Sequence, residues 1–153
     1  NTILLGKRIW LLSNMQVVLL AGGLGTRLAE ETNLIPKPMV TIGTKPIIWH
    51  IMKMYDFYGF RDFVICGGYR VETIIEYFVN YRLHASNVSI DISNNVVTYL
   101  EEASEDWNVT IIDTGEHSNT GGRLAKIREY LNPGQPFCMT YGDGLSNVNL
   151  SQN

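Results

Sequence analysis

Val17-Val18-Leu19-Leu20-Ala21-Gly22-Gly23-Leu24-Gly25-Thr26-Arg27 is the stretch on which the reading of the chain turns. Four branched apolar residues followed by a small one spell a short strand buried on both faces, as in a parallel sheet. Gly22, Gly23 and Gly25 then strip side chains from the turn at its end. Backbone can approach a ligand closely there, and successive N–H groups can converge on an anion. Arg27 adds a planar fork of donors suited to phosphate. The stretch outlines a nucleotide site at the carboxyl end of a buried strand.

Two better-known glycine loops do not fit. No Gly-Lys-Ser or Gly-Lys-Thr follows, as a P-loop requires. Gly23 and Gly25 match the first two glycines of a dinucleotide fingerprint, but Leu28 stands in the third place. That argues against a nicotinamide-dependent oxidoreductase. A strand-to-loop turn without a ligand is the plain alternative, and the residues downstream decide against it.

Composition narrows the class. The chain has 153 residues, 45% apolar, enough for one compact domain with a real core. A net charge of -3 gives no basic footprint for nucleic acid or an acidic membrane. No apolar run approaches the ~20 residues of a membrane span. Cys66 and Cys138 lie in apolar runs and read as buried free thiols in a reducing cytoplasm. Residues 1–14 are apolar but interrupted by Lys7 and Arg8, without the charge order of a signal peptide. Met15 resembles a natural start, so 1–14 read as an upstream extension, with an extra surface helix or strand as the alternative, and 15–153 as the nucleotide-binding part.

Past the glycine turn, Pro36-Lys37-Pro38 predicts a stiff, extended, non-helical loop that holds Lys37 near Arg27. Met39–Ile42 predicts a short strand. Pro46 opens a helix whose Ile47, Ile48, Ile51, Met52, Tyr55 and Tyr58 recur at helical spacing, ended by Gly59. Phe63–Cys66 predicts a second buried strand, and Val71–Leu83 a second helix with Ile74, Ile75, Phe78 and Tyr81 inward. Val88–Ile92 and Val96–Leu100 flank Asn94-Asn95 and predict a rim hairpin. Val109–Asp113 predicts a strand, Thr120-Gly121-Gly122 the start of a helix with Leu124, Ile127 and Leu131 inward, and Phe137–Tyr141 a last strand. The alternation predicts an α/β, Rossmann-like, doubly wound and mostly parallel sheet with helices on both faces and a small β-hairpin.

Doubly wound sheets place ligands beyond the carboxyl ends of their strands. The loops bearing Arg27 and Asp143 should therefore share one crevice. Asp143, between Gly142 and Gly144, can reach a hard cation such as Mg²⁺ without crowding. Asp113 reads equally well as a turn residue. His50, His84 and His117 lack metal-ligand spacing, and Trp10, Trp49 and Trp107 read as packing residues. Glu101, Glu102, Glu105 and Asp106 read as a solvated charged stretch.

With those residues in view, the chain resembles the sugar-phosphate nucleotidyltransferases from Met15 onward. LAGGLGTR at Leu20–Arg27, Glu30-Glu31 and KPM at Lys37–Met39 mark the superfamily. KPIIWHIMKMY at Lys45–Tyr55, DFVICGGY at Asp62–Tyr69, WNVTIIDTG at Trp107–Gly115, TGGRL at Thr120–Leu124 and YGDG at Tyr141–Gly144 resemble its cytidylyltransferase branch. That branch joins CTP and glucose 1-phosphate into CDP-glucose and diphosphate. The resemblance implies backbone contacts to nucleotide from Leu20, Ala21, Gly22, Gly23, Leu24 and Gly25, and phosphate contacts from Thr26, Arg27 and Lys37. It implies that Ser118, Thr120, Gly121 and Arg123 face the cytidine and its neighbours, and that Asp143 binds Mg²⁺. Arg27, Lys37 and Asp143 would be the catalytic set. A homo-oligomer is implied for the full-length family member, with no nucleic-acid or membrane partner. Family chains continue past YGDG with the sugar pocket and a further metal-binding aspartate, so weak or absent turnover is expected of these residues alone. Sister enzymes using UTP or TTP, and a non-catalytic nucleotide-binding module, are the alternatives.

Overall fold

Every residue of β1 (Gln16–Leu20) is buried, as a strand with apolar side chains on both faces requires. The computed structural model describes residues 15–23, 35–101 and 105–144. A 3-10 turn (Lys37–Met39) leads into a ribbon of β2 (Thr41–Ile42) and β3 (Lys45–Pro46), then α1 (Ile47–Phe57) and β4 (Asp62–Gly67). Next come α2 (Val71–Val79), α3 (Tyr81–Ala85), and a hairpin of β5 (Val88–Asp91) and β6 (Val96–Tyr99). β7 (Asn108–Asp113), α4 (Thr120–Ile127), a second 3-10 turn (Arg128–Tyr130) and β8 (Cys138–Tyr141) complete the order.

The four long strands form one parallel sheet in the order β7-β4-β1-β8. Helices cover both faces. On one, Ile48, Ile51, Met52 and Tyr55 of α1 and Ile74 of α2 pack on Val17, Leu19, Phe63 and Ile65. On the other, Ile127 of α4 packs on Val18, Leu20, Val64 and Cys66, flanked by the half-buried Leu124 and Leu131. The doubly wound reading therefore holds. Cys66 and Cys138 are free thiols, and burial pushes Cys66 up to about 11. Among the described residues no helix is long and apolar enough to cross a membrane.

Ile75, expected inward, is 40% exposed, and the strand expected from Met39 begins only at Thr41. Four further expectations need correction. The Pro36–Pro38 segment is not fully extended: Met39 N–H donates to the Pro36 carbonyl and Val40 N–H to that of Lys37, closing one 3-10 turn. Proline is compatible with a first turn, whose leading N–H groups have no helical acceptor. Pro46 ends β3 with extended backbone, and the helix starts one residue later. The second helix is broken at Asn80, whose side chain donates to the Glu76 carbonyl at 2.9 Å and competes with the helical ladder.

The fourth concerns Glu105, whose side chain is 6% exposed, not solvated. It accepts the Tyr81 hydroxyl at 2.6 Å and lies 3.6 Å from Lys53, within a cluster of Trp49, Tyr81 and Trp107 rings. Asp106 and Glu101 are exposed as expected, while Glu102 lies outside the described residues. Lys53 also bonds Asp56 at 2.8 Å, and Arg61 pairs with the same carboxylate. Burial alone would raise Asp56, but the Lys53 hydrogen bond and the charges of Arg61 and Lys53 hold it below the usual carboxylate range.

Candidate nucleotide site

The order β7-β4-β1-β8 contains one reversal, between β1 and β8: successive crossovers run outward from β1 to β4 and β7, and the chain then returns to the other side. Loops leave the two strands in opposite directions at such a point, which opens a crevice beyond their carboxyl ends. Gly22 and Gly23 follow β1 there, and Gly142 and Asp143 follow β8. The two loops touch. Gly142 N–H donates to the Leu20 carbonyl at 2.9 Å, and a side chain at 142 would press on Ala21 at 3.2 Å.

Lys37 reaches the same place from the 3-10 turn. Its ammonium lies 3.6 Å from an Asp143 oxygen, with the two side chains 26% and 40% exposed. A cation and a carboxylate thus face each other at the lip of the crevice, open to solvent. Leu20, Ala21 and Gly22 are buried behind them and Gly23 is exposed. Leu24, Gly25, Thr26 and Arg27 lie outside the described residues, as does the 1–14 extension.

The TGGRL segment comes from the other flank. Asn119 caps α4 by accepting Gly122 N–H at 2.7 Å, which fixes where the helix begins. Thr120 and Gly121 are exposed on its first turn. Ser118 donates to the Thr114 carbonyl at 2.5 Å and accepts from Lys126 at 3.1 Å. Arg123 points inward and is 6% exposed. Its Nη1 donates to the Gly67 carbonyl at 2.9 Å and Thr114 Oγ1 at 2.6 Å. Its Nη2 donates to the Gly22 carbonyl at 2.8 Å and the Glu116 carbonyl at 3.1 Å. The guanidinium therefore spans the ends of β1, β4 and β7.

This bridge explains two glycines. A Cβ at Gly22 would lie 1.8 Å from Arg123 Nη1, and one at Gly68 would lie 2.7 Å from the Gly22 carbonyl oxygen. Neither Gly68 nor the fully buried Thr114 stood out in the sequence as part of the site. Both follow a strand directly, and that position was the available signal. Asp113 accepts Gly115 N–H at 2.9 Å and so stabilises a turn. His50 donates to the Ile42 carbonyl at 3.0 Å, while His84 and His117 are exposed.

The nucleotidyl transferase profile matches residues 16–152, nearly all of the chain from its first strand residue on. The chain belongs to the nucleotidyl transferase family. Among relatives of this family, glucose-1-phosphate cytidylyltransferase of Salmonella typhimurium is 52% identical over 89% of this chain and 53% of its own length. The probable glucose-1-phosphate cytidylyltransferase of Bacillus subtilis is 44% identical over the same shares. The chain thus spans about half the length of the curated relatives it matches. The structure of HddC from Yersinia pseudotuberculosis complexed with GMP-PN superposes with a TM-score of 0.59 at 28% identity, covering 84% of this chain and 48% of that one. The UTP-bound UGPase from Acinetobacter baumannii superposes at 0.60 with 20% identity, over 91% and 49%, a likeness of fold alone.

Proposed function

We propose that this nucleotidyltransferase chain carries the nucleotide-binding part of a glucose-1-phosphate cytidylyltransferase, which converts CTP and α-D-glucose 1-phosphate into CDP-glucose and diphosphate. The observation that carries the reading is the meeting of Lys37, Asp143 and the Gly22–Gly23 turn at the one reversal of strand order. The 52% identity to the Salmonella relative supports the choice of CTP and glucose 1-phosphate.

In this reading the Gly22–Gly23 turn brings backbone against the nucleotide, and Lys37 leaves its ion pair with Asp143 to bind triphosphate oxygens. Arg27 supplies a second cation to the same phosphates. The sugar phosphate oxygen attacks the α-phosphorus in line and diphosphate leaves, so positioning and charge neutralisation do the catalytic work. Asp143 fits a shared Mg²⁺ site: a half-exposed carboxylate at a strand end, beside the cation that would hold the phosphates. Mg²⁺ is commonly held by one or two carboxylates together with substrate phosphates, and it would neutralise charge on the transferring and leaving groups. Ser118, Thr120 and Gly121 border the nucleoside end.

Calorimetry of CTP, UTP and TTP, each with Mg²⁺, tests the base. CTP should bind tightest, and a clear preference for UTP or TTP would sink the reading.

A further inference from the structure

We propose that two copies of this chain associate through a reciprocal contact: the β5–β6 hairpin of each lays its apolar face into the groove between α2 and the edge strand β7 of the other. The contact lies at the opposite edge of the sheet from β8, and it stands independently of the function proposed above.

The hairpin has an apolar face that its own chain leaves uncovered. Among the described strands, β5 and β6 pair only with each other. Their register sets Val88 opposite Tyr99 and Ile90 opposite Val97, so these four share one face, while Ser89, Asp91, Val96 and Thr98 share the other. The base of the hairpin is held: Arg82 of α3 lies 4.2 Å from the centre of the Tyr99 ring, and Asn87 donates to Glu101 at 2.6 Å. Toward the tip the cover ends, and Ile90 and Val97 are 53% and 43% exposed. A two-stranded hairpin is marginal by itself in water and gains stability from a further apolar layer.

The same chain carries a cleft of matching character. Ile75 and Val79 of α2 and Val109 and Ile111 of β7 wall a groove of about 320 Å³, and Tyr81 and Glu105 also line it. Val79 is 76% exposed. β7 is an edge of the sheet, paired with β4 on one side alone, so an extended segment finds backbone partners there and a helix does not. Sites for small molecules need placed polar groups to orient the ligand. The carboxylate in this groove, that of Glu105, is already engaged by the Tyr81 hydroxyl and faces Lys53. Apolar side chains carried on a strand suit the groove better than a polar small molecule.

Charge points to a second copy. The hairpin ends in the exposed Asp91, whose carboxylate accepts from Asn94 N–H at 3.1 Å and Nδ2 at 2.7 Å, bonds that leave its negative charge uncancelled. Beside the groove, the Lys45 ammonium lies 5.2 Å from the centre of the Tyr81 ring and pairs with no carboxylate among the described residues. Asp91 favours this orientation without touching Lys45, because charges act over roughly 8–10 Å at physiological salt. The anionic tip and the cation at the groove come from one sequence. A two-fold axis repeats whatever contact it makes once, so a single orientation yields two hairpin–groove contacts.

Sedimentation velocity of the 153-residue chain, from micromolar to millimolar concentration, tests this, with circular dichroism to confirm folding. Wild type should pass from monomer to dimer. Ile90→Asp and Val79→Asp, both at exposed positions, should each fold and raise the dimer dissociation constant about a hundredfold or more. A dimer holds the altered contact twice, and an unpaired carboxylate in an apolar cleft is heavily penalised. An equimolar mixture of the two variants should recover association. Its heterodimer keeps one intact contact, between the unaltered hairpin of the Val79→Asp chain and the unaltered groove of the Ile90→Asp chain. Asp91→Lys should also weaken the dimer, less so at high salt, and adding Lys45→Glu to the same chain should restore it. Should an aspartate variant fold poorly, this charge-reversal pair carries the test. A monomeric wild type overturns the proposal and leaves the groove to another polypeptide or a small apolar ligand. So does a dimer indifferent to both aspartate variants, since another surface would then hold it together. A mixture that fails to recover refutes hairpin-into-groove pairing in favour of hairpin on hairpin or groove on groove.

Discussion

Ile127→Ala should be the most damaging single truncation for the site although Ile127 touches no substrate. One face of the sheet is covered by α1 and α2, which bury five residues between them. On the opposite face, among the described residues, α4 contributes a single fully buried side chain, Ile127, resting on Val18, Leu20, Val64 and Cys66. Truncation to alanine removes three carbons, worth about 2.4 kcal/mol at ~0.8 kcal/mol per buried methylene. The cavity left between α4 and two rigid strands adds to this, for a total of about 2–5 kcal/mol. Alanine's better helix propensity returns only a few tenths of a kcal/mol. Against a typical stability of about 5–15 kcal/mol the loss is large. Urea unfolding followed by circular dichroism measures it, with Val79→Ala as control, since Val79 is 76% exposed. Because Arg123 lies one turn before Ile127 on the same buried face, amide exchange should accelerate across α4 and at Gly22–Gly23 before the sheet opens. A loss below about 1 kcal/mol, or exchange unchanged in α4, would refute the claim that this contact holds the helix down.

Three further outcomes follow from described contacts. Asp143→Asn should cost the fold at most about 1 kcal/mol, since its pair with Lys37 is solvent-exposed, yet it should abolish most of the Mg²⁺ dependence of CTP binding seen by calorimetry. Cys66, buried and with its thiol raised to about 11, should resist a disulfide-exchange reagent at pH 8 until the chain is unfolded, so native and denatured thiol counts should differ. Asp56, whose folded pKa is depressed, contributes stability present above its unfolded value and lost as pH falls through the folded one. The gap in urea midpoint between wild type and Asp56→Asn should therefore be widest near neutrality and close below about pH 4.

The parts of the fold that were legible in the sequence are those whose pattern is local. The Val17–Leu20 and Phe63–Cys66 runs are apolar on both faces and, being short and closed by glycines, fit a central parallel strand. The rim hairpin was readable from Asn94-Asn95, and Asn95 indeed takes a positive φ of 53 degrees. What stayed hidden depends on distant partners. Tyr81 continues the apolar spacing of Val71–Val79, so periodicity alone could not show the break that the Asn80 side chain makes. Glu105 sits among acidic neighbours, and its burial is decided by Tyr81 and Lys53, far away in the chain. Asp143 and Lys37 read as sharing one crevice, but their direct approach at 3.6 Å depends on the reversal between β1 and β8. Arg123 is placed against the cytidine only by the family resemblance of the TGGRL segment, whereas the structure turns it inward at 6% exposed. Its inward course follows from sharing a helix face with Ile127, which spacing shows but chemistry obscured.

The placement of β8 beside β1 also bears on how the molecule is made. These neighbours are synthesised more than a hundred residues apart, so a ribosome adding about 5–20 residues per second leaves one flank of β1 unpaired for roughly 6–24 s. β1 and β4 can join early, but the nascent sheet then carries an apolar, open edge that invites pairing with another chain. A chaperone that shields Val17–Leu20 during that interval would raise the yield of native protein, whereas one acting only after release would arrive too late.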